Sequence, residues 1–573
     1  MTMNIEQDPN QEQMPLNEFL KLPNTVAFTS YLNPTVEQYI ADKPYIYVGT
    51  QFLATNDTIF YTSEQYMDGI FADLGYTFNI FPQVYGLMGE ESLDDTGISW
   101  VQQQPFLDLR GSGVILGFVD TGIDYTSEAF KYEDGTSKIK YIWDQTLEGT
   151  VPSLMQFGAT YTQEQINEAL ASDNPYEVVP HRDTVGHGTF LASVAGGRGT
   201  GAAAGAAPDA EIVAVKLKKA SPYYIEKYLI PHDQDNAFES TDIMMGIKFI
   251  YDYATSTGRP AVICLGVGTN FGGHAGNSKF EKYISALSGH TGTAFCTAAG
   301  NEGTARHHTQ GRIATSDVTE DIDVRVGLGA KSFSVIISYE GYDTISASIQ
   351  SPTGETTGRI PYSVGTSFYK KFLLENATAV IHYQQDVNRF IIIQIRDITP
   401  GIWKITLHGT VVVSGIYNAW LPITGLVHPD IEFANPYPDC TITIPATDYG
   451  SLCCGAYNGN DGSLYLNNSW GPTATPRIAP DFALPGVDVA GIYPYGEGVM
   501  SGTSVAAALA SGACALLFQW GIVQRNEIAM NGYRLRTLLI RGCTRDNNLT
   551  YPNNLWGYGK LDLEKTFRVM REE

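Results

Sequence analysis

An apolar run from Val114 to Val119 stops at an aspartate, Asp120. No position within the run is polar, which suits a parallel strand covered on both faces and argues against a strand with one wet face. Residues 211–217, 261–266 and 293–299 read as further strands, and 187–195 and 241–254 as helices between them. Strands alternating with helices make a parallel sheet with helices on both sides, an α/β fold. In such sheets the groups that meet ligands lie just past the carboxyl ends of strands, and Asp120 occupies that position.

The alternation ends after Gly303. From about 321 to 424 the β-like segments 323–326, 332–339, 344–350, 378–383, 390–395, 402–407 and 410–414 follow one another without a helix. Turn residues such as Ser351-Pro352-Thr353-Gly354 and Thr399-Pro400-Gly401 separate them, the pattern of a β-sandwich or jelly roll. The α/β character resumes by Ser451, and 502–520 reads as a long buried helix. A β-domain is therefore expected inside the α/β domain. Ahead of both, strand-like 45–48 and 80–85 flank a helix-like 63–74, a small α+β unit. The expected division is 1–89, 90–305, an insert at 306–434, and 435–573, in keeping with two or three domains for 573 residues.

With 43% apolar and 17% charged residues the chain has ample core and is not disordered. A net charge of −25 argues against nucleic acid as a partner, because a phosphate backbone would be repelled. The first residues carry no basic stretch followed by an apolar one, so no secretory signal is read there. No run of about 18 apolar residues predicts a membrane span. The cysteines, at 264, 296, 440, 453, 454, 514 and 543, are odd in number and several sit in apolar runs; they read as reduced, buried thiols. These features give the cytoplasm as the expected location.

Three segments carry candidate chemistry: Asp120 in Val119-Asp120-Thr121-Gly122, His187 in Gly186-His187-Gly188-Thr189, and Ser504 in Ser501-Gly502-Thr503-Ser504. A serine hydroxyl is a poor nucleophile until a base takes its proton, and the base needs an anion to orient it. Taken singly, Asp120 is a turn residue, His187 a structural histidine and Ser504 an N-cap. Small residues after His187 and the alanine run after Ser504 place both at the start of tightly packed helices. Asp124 reads as a structural partner in the turn, and Asp183 as a loop residue. Asn301, in Ala298-Ala299-Gly300-Asn301, is by itself a turn residue.

The order Asp, His, Ser is that of the subtilisins, and the chain resembles the subtilisin-like serine proteases. Gly-His-Gly-Thr, Gly-Thr-Ser, Asn468-Ser469-Trp470-Gly471-Pro472 and Leu555-Trp556-Gly557-Tyr558-Gly559 carry the resemblance across about 100–305 and 440–565. It departs where the family commonly has proline and histidine after the serine; here stand Ala508 and Leu509. The resemblance implies Asp120, His187 and Ser504 as catalytic residues and Asn301 as oxyanion donor. It also implies Leu265 and Gly266 as partners of substrate backbone, with Ala298, Ala299 and Gly300 lining the first subsite and 441–445 its floor. It implies no cofactor. Calcium accompanies some members, but no loop here marks a site, and no metal is expected.

The layout, with a leading α+β unit and a β-insert between Asn301 and Ser504, is similar to the spore-germination subtilases of clostridia. That likeness implies a prodomain, cut near Leu87, Met88 and Gly89, that stays in the cleft. It also implies a restricted protein substrate such as the zymogen of a cortex hydrolase. An endopeptidase that cuts itself is thus the first expectation, a prodomain-blocked binding protein the second, and a ligand-binding role for the insert the third. No nucleic acid or membrane partner is expected.

Overall fold

The computed structural model describes residues 14–74, 80–87, 96–104, 107, 109–151, 155–199, 201 and 204–571. Its centre is an eight-stranded sheet in the order Phe482–Val487, Leu452–Asn458, Thr293–Ala298, Ala261–Leu265, Ile115–Asp120, Glu211–Lys216, Ile139–Asp144, Ala159–Thr162. Every neighbouring pair is parallel except the last, where Ala159–Thr162 runs against Ile139–Asp144. Ile115–Asp120 is buried at every position, as its apolar composition dictates.

One face of the sheet is covered by His187–Gly196 and by Thr503–Phe518, all of whose residues are buried. The small side chains permit this: a Cβ on Gly512 would collide with Ala206 and come within 3.1 Å of the Ala195 carbonyl. The helix runs unbroken through Ala508 and Leu509. Thr503–Val523 is long and apolar enough to cross a membrane, yet 89% of its most apolar window is buried inside the protein, as befits a core helix. Ser240–Thr257 and Lys279–Ser288 cover the opposite face.

Against those two helices lies a three-stranded antiparallel sheet of the N-terminal unit, in the order Thr25–Tyr31, Asp57–Ser63, Tyr47–Phe52. Its side chains alternate. Ala27, Ile59 and Tyr61 join the core over Ser240–Thr257 and Lys279–Ser288, while Val26, Phe28 and Phe60 pack with Ile70 and Phe71 of its own helix Met67–Leu74. A buried ion pair, Lys279 Nζ to Asp57 at 3.0 Å, fastens the two units. The sequence reading of 63–74 as one helix is corrected: the strand runs through Ser63 and a single 3₁₀ turn, Glu64–Tyr66, precedes the helix.

Between Asn301 and Ser451 lie two antiparallel sheets, of six strands (His308–Arg312, Ile416–Trp420, Ser332–Tyr339, Arg389–Arg396, Thr378–Gln385, Ser367–Lys371) and of four (Thr344–Gln350, Gly401–Val411, Thr319–Val326, Ile431–Phe433). They share one core, with Phe333 and Phe372 edge-on to Trp403 and the Tyr383 hydroxyl accepting from the Ala347 amide at 3.0 Å. Segments 402–407 and 410–414, expected as two strands, are one long strand to Val411, irregular where Thr344 and Ile345 face Val411 and Gly409. All seven cysteines are buried and unbridged. Among the described residues no three His, Cys, Asp or Glu side chains converge as metal ligands.

Candidate active site

Asp120 ends the central strand, and its Oδ1 accepts from the Thr121 amide at 2.8 Å and faces His187 Nδ1 at 2.7 Å. His187 opens its helix behind Gly186, which sits at φ 93°, a conformation glycine takes without strain. Its neighbour Gly188 is tight for a different reason, since a Cβ there would run into the Gly122 carbonyl. Across the imidazole, Nε2 lies 3.2 Å from Ser504 Oγ. Ser504 is the second residue of the helix Thr503–Phe518. The three side chains thus form one relay, and all are covered: Asp120 is 1% exposed, His187 5% and Ser504 0%.

The turn after Asp120 and the start of the His187 helix are laced together. Asp183 Oδ1 accepts from the Val185 and Gly186 amides, and its Oδ2 from the Thr189 amide and hydroxyl. Thr189 Oγ1 accepts in turn from the Asp124 amide, and the Thr121 hydroxyl accepts from the Gly188 amide. Asp124 Oδ1 holds Thr126. Sequence reasoning missed a second buried His–Asp pair: His181 Nδ1 lies 2.6 Å from Asp144 Oδ2, and its Nε2 accepts from the Ile123 amide. Burial, the largest single influence, works against the Asp144 carboxylate, but the bond and charge of His181 together with Thr146 and Lys216 outweigh it and hold the carboxyl below its usual range. This pair props the turn that carries Asp120.

Asn301 lies beside the serine's helix. Its Oδ1 accepts from the Thr503 amide and hydroxyl, both at 3.1 Å, while Thr503 Oγ1 accepts from the Gly300 amide at 3.0 Å. Ser469, from the Asn-Ser-Trp-Gly-Pro motif, accepts from the Glu302 amide and donates its own amide to the Gly300 carbonyl. Glu302, also missed, is buried. Burial disfavours its charge, but His307 Nδ1 at 2.6 Å and the Thr424 amide at 3.0 Å hold its carboxyl below the usual range.

The structure separates the proposed subsite residues. Gly266 lies at the relay, where a Cβ would come 2.9 Å from His187 Cε1 and 3.1 Å from Ser504 Cβ. Gly300, at φ 114°, sits under Thr443 and Ser469, and Ala299 pairs through its backbone with Thr443 and Cys454. Leu265 points instead into the core among the helices, and Ala298 is buried in the cluster that includes Val84 and Phe271. Leading to the relay is a strand of the N-terminal unit, Val84–Leu87, paired antiparallel with Phe238–Glu239 on one side and Val267–Gly268 on the other. Leu87 faces Val267 and Gly86 faces Gly268. Met88 and Gly89 lie outside the described residues.

An Asp–His–Ser relay at the carboxyl end of a parallel sheet defines a serine peptidase of the subtilisin type. Residues 111–368 and 427–559 match the profile of the Peptidase S8 subtilase family, and the chain belongs to that family. Among solved structures, the CspB protease of Clostridium perfringens is 31% identical, with a TM-score of 0.74, over 83% of this chain and 98% of that one. The epidermin leader peptide processing serine protease EpiP of Staphylococcus aureus is 12% identical, with a TM-score of 0.46, over 96% of this chain and 99% of its own. A search of the curated proteins gave no match. The chain is a subtilisin-like serine endopeptidase, and its substrate is protein.

Proposed function

We propose that this peptidase cuts its own chain after Met88 and keeps residues 1–88 as a prodomain seated in the cleft. Ser504 Oγ attacks the scissile carbonyl while His187 Nε2 takes its proton, with Asp120 holding the Nδ1–H tautomer. Because Thr503 occupies Asn301 Oδ1, Nδ2 is left to donate to the oxyanion. The start of the serine's helix adds its amides and dipole. Collapse of the tetrahedral adduct expels the amine of residue 89, which receives its proton from His187; water then frees the acyl group by the same route.

The observation that carries this reading is the register of Val84–Leu87. Leu87 lies opposite Val267, whose chain neighbour Gly266 stands beside His187 and Ser504, so the described strand ends at the approach to the relay. Retention of the prodomain is supported by the apolar cluster that joins it to both other units, in which Phe81 and Val84 share neighbours with Tyr228 and Phe271 and with Ile336 and Phe390. The domain limits given above, the use of no cofactor, and a restricted protein substrate complete the proposal. The resemblance in layout to the spore-germination subtilases of clostridia, with which likeness to the CspB protease of Clostridium perfringens agrees, supports a germination role in a spore-associated or cytoplasmic setting, with the zymogen of a cortex hydrolase as the substrate.

Intact mass of the full chain beside Ser504→Ala tests it. The wild type should split into an 88-residue fragment and the remainder under denaturing conditions, and elute as one species under native ones; Ser504→Ala should stay whole. Two whole chains would refute self-cleavage and favour a blocked binding protein.

A further inference from the structure

The inserted β-domain sends one turn back to the cleft. After the strand Ile416–Trp420 the chain turns at Ile423–Leu426, closed by the Leu426 amide on the Ile423 carbonyl at 2.9 Å. Three anchors fix this turn to the α/β domain. The Thr424 amide donates to Glu302 Oε1, Gln234 Nε2 donates to the Gly425 carbonyl at 2.9 Å, and Asn270 Nδ2 donates to the Leu421 carbonyl at 3.1 Å. Ile423 and Leu426 are thereby held fully buried, with their side chains toward Val84–Leu87.

Side chains of an extended strand alternate. Tyr85 points into the core of the α/β domain, edge-on to Phe280, and Leu87 packs on the same side. Val84 packs on the other side, in the cluster that contains Ile423 and Leu426. Gly86 shares that side and has nothing to place there. A Cβ on it would lie 3.1 Å from Ile423 Cδ1 and 3.6 Å from Leu426 Cγ. Gly86 takes no left-handed conformation, so space alone, not backbone freedom, calls for glycine.

We propose that Ile423 and Leu426 form a wall that admits only glycine, or at most alanine, at the third residue before the bond to be cut. The insert is on this account a specificity element. The enzyme's substrates are extended segments that carry glycine at that position, as residues 86–88 do. The inference rests on the reading that Val84–Leu87 stands where substrate stands. It goes beyond that reading by assigning selectivity to residues of the insert.

The test follows self-cleavage of the full chain by intact mass over time. If the wild type never splits after Met88, the underlying reading fails, and the wall with it. If it does, Gly86→Val should slow the split by about tenfold or more, since a side chain forced into a packed site is strongly disfavoured. Trimming the wall in the same chain, by Gly86→Val with Ile423→Ala and Leu426→Ala, should restore the rate to within about threefold. Rescue shows that the valine variant is blocked and not misfolded. A valine variant that splits as fast as wild type, or a trimmed one that stays as slow as the untrimmed, overturns the wall. Should Gly86→Val give no soluble chain, Gly86→Ala with and without the trimming reads the same contrast on a smaller scale.

Discussion

Asn301 is useful at the scale of single residues because its two amide atoms have separate tasks. The oxygen is tied to Thr503, and the mechanism proposed above gives the nitrogen to the oxyanion. Asn301→Ala removes both the tie and the donor and should slow self-cleavage by at least roughly 10²–10³-fold, the size found for this donor in a subtilisin. A rate within about threefold of wild type would remove it from that role. The two aspartates nearest in sequence to the relay do other work. Asp124 closes a turn and Asp183 caps the start of the histidine's helix, both against local backbone amides. The turn role of Asp124 was legible from position, whereas Asp183 read only as a loop residue and its capping bonds emerged from the fold. The His181–Asp144 pair was not, because its members stand 37 residues apart in different elements and neither lies in a recognisable pattern.

Elements buried on both faces declared themselves in the sequence. Ile115–Asp120 and Ala261–Leu265 carry no polar interruption, and Ser332–Tyr339 and Thr344–Gln350 in the insert fall where turn residues bracket them. The strands that escaped are of another kind. Thr25–Tyr31 and Asp57–Ser63 are rich in threonine, serine and tyrosine and are buried by a neighbouring unit the sequence does not announce. Phe238–Glu239 and Val267–Gly268, which hold Val84–Leu87, are two residues long and have no period to detect. The gap left between 402–407 and 410–414 holds Gly409, a glycine inside one strand beside an irregularity in pairing. The Asp57–Lys279 pair gives a prediction at this scale. Burial pulls the Lys279 ammonium below its usual pKa, and Asp57 pushes back. Asp57→Ala strands the buried ammonium, so the chain should lose about 3–5 kcal/mol in denaturant titrations, and Asp57→Ala with Lys279→Met should recover most of it. Equal losses in the single and double variants would contradict this.

The whole molecule should respond to acid through three histidines in and around the insert. Burial pushes His274, His308 and His382 each down to about 4, against the carbonyl bonds that favour their charged forms. His274 stacks on Trp420, with Glu302 and His308 as its charged neighbours; His308 lies tilted over the same indole, and His382 faces Lys227. In the unfolded chain these rings take up protons near 6.5, so between 6.5 and about 4 the unfolded state binds more protons than the folded one. Their contribution is complete above 6.5 and is lost as pH falls. The Tm should drop between pH 7 and pH 5, and His308→Gln, which stays neutral, should flatten the slope. A Tm that is level or rises on acidification, with the variant unchanged, would count against it.

Connectivity also puts the parts of the relay on a clock. His187 and Ser504 are 317 residues apart, with the whole β-sandwich between them. At about 5–20 residues per second of synthesis, the nascent chain holds aspartate and histidine for roughly 15–60 s before the serine exists. Throughout that interval the N-terminal unit can dock and its strand can settle while the ribosome is still at work. Until the serine's helix closes, the enzyme is therefore harmless to its own growing chain and to neighbouring nascent chains, and on the proposed reading the first bond it then meets is its own.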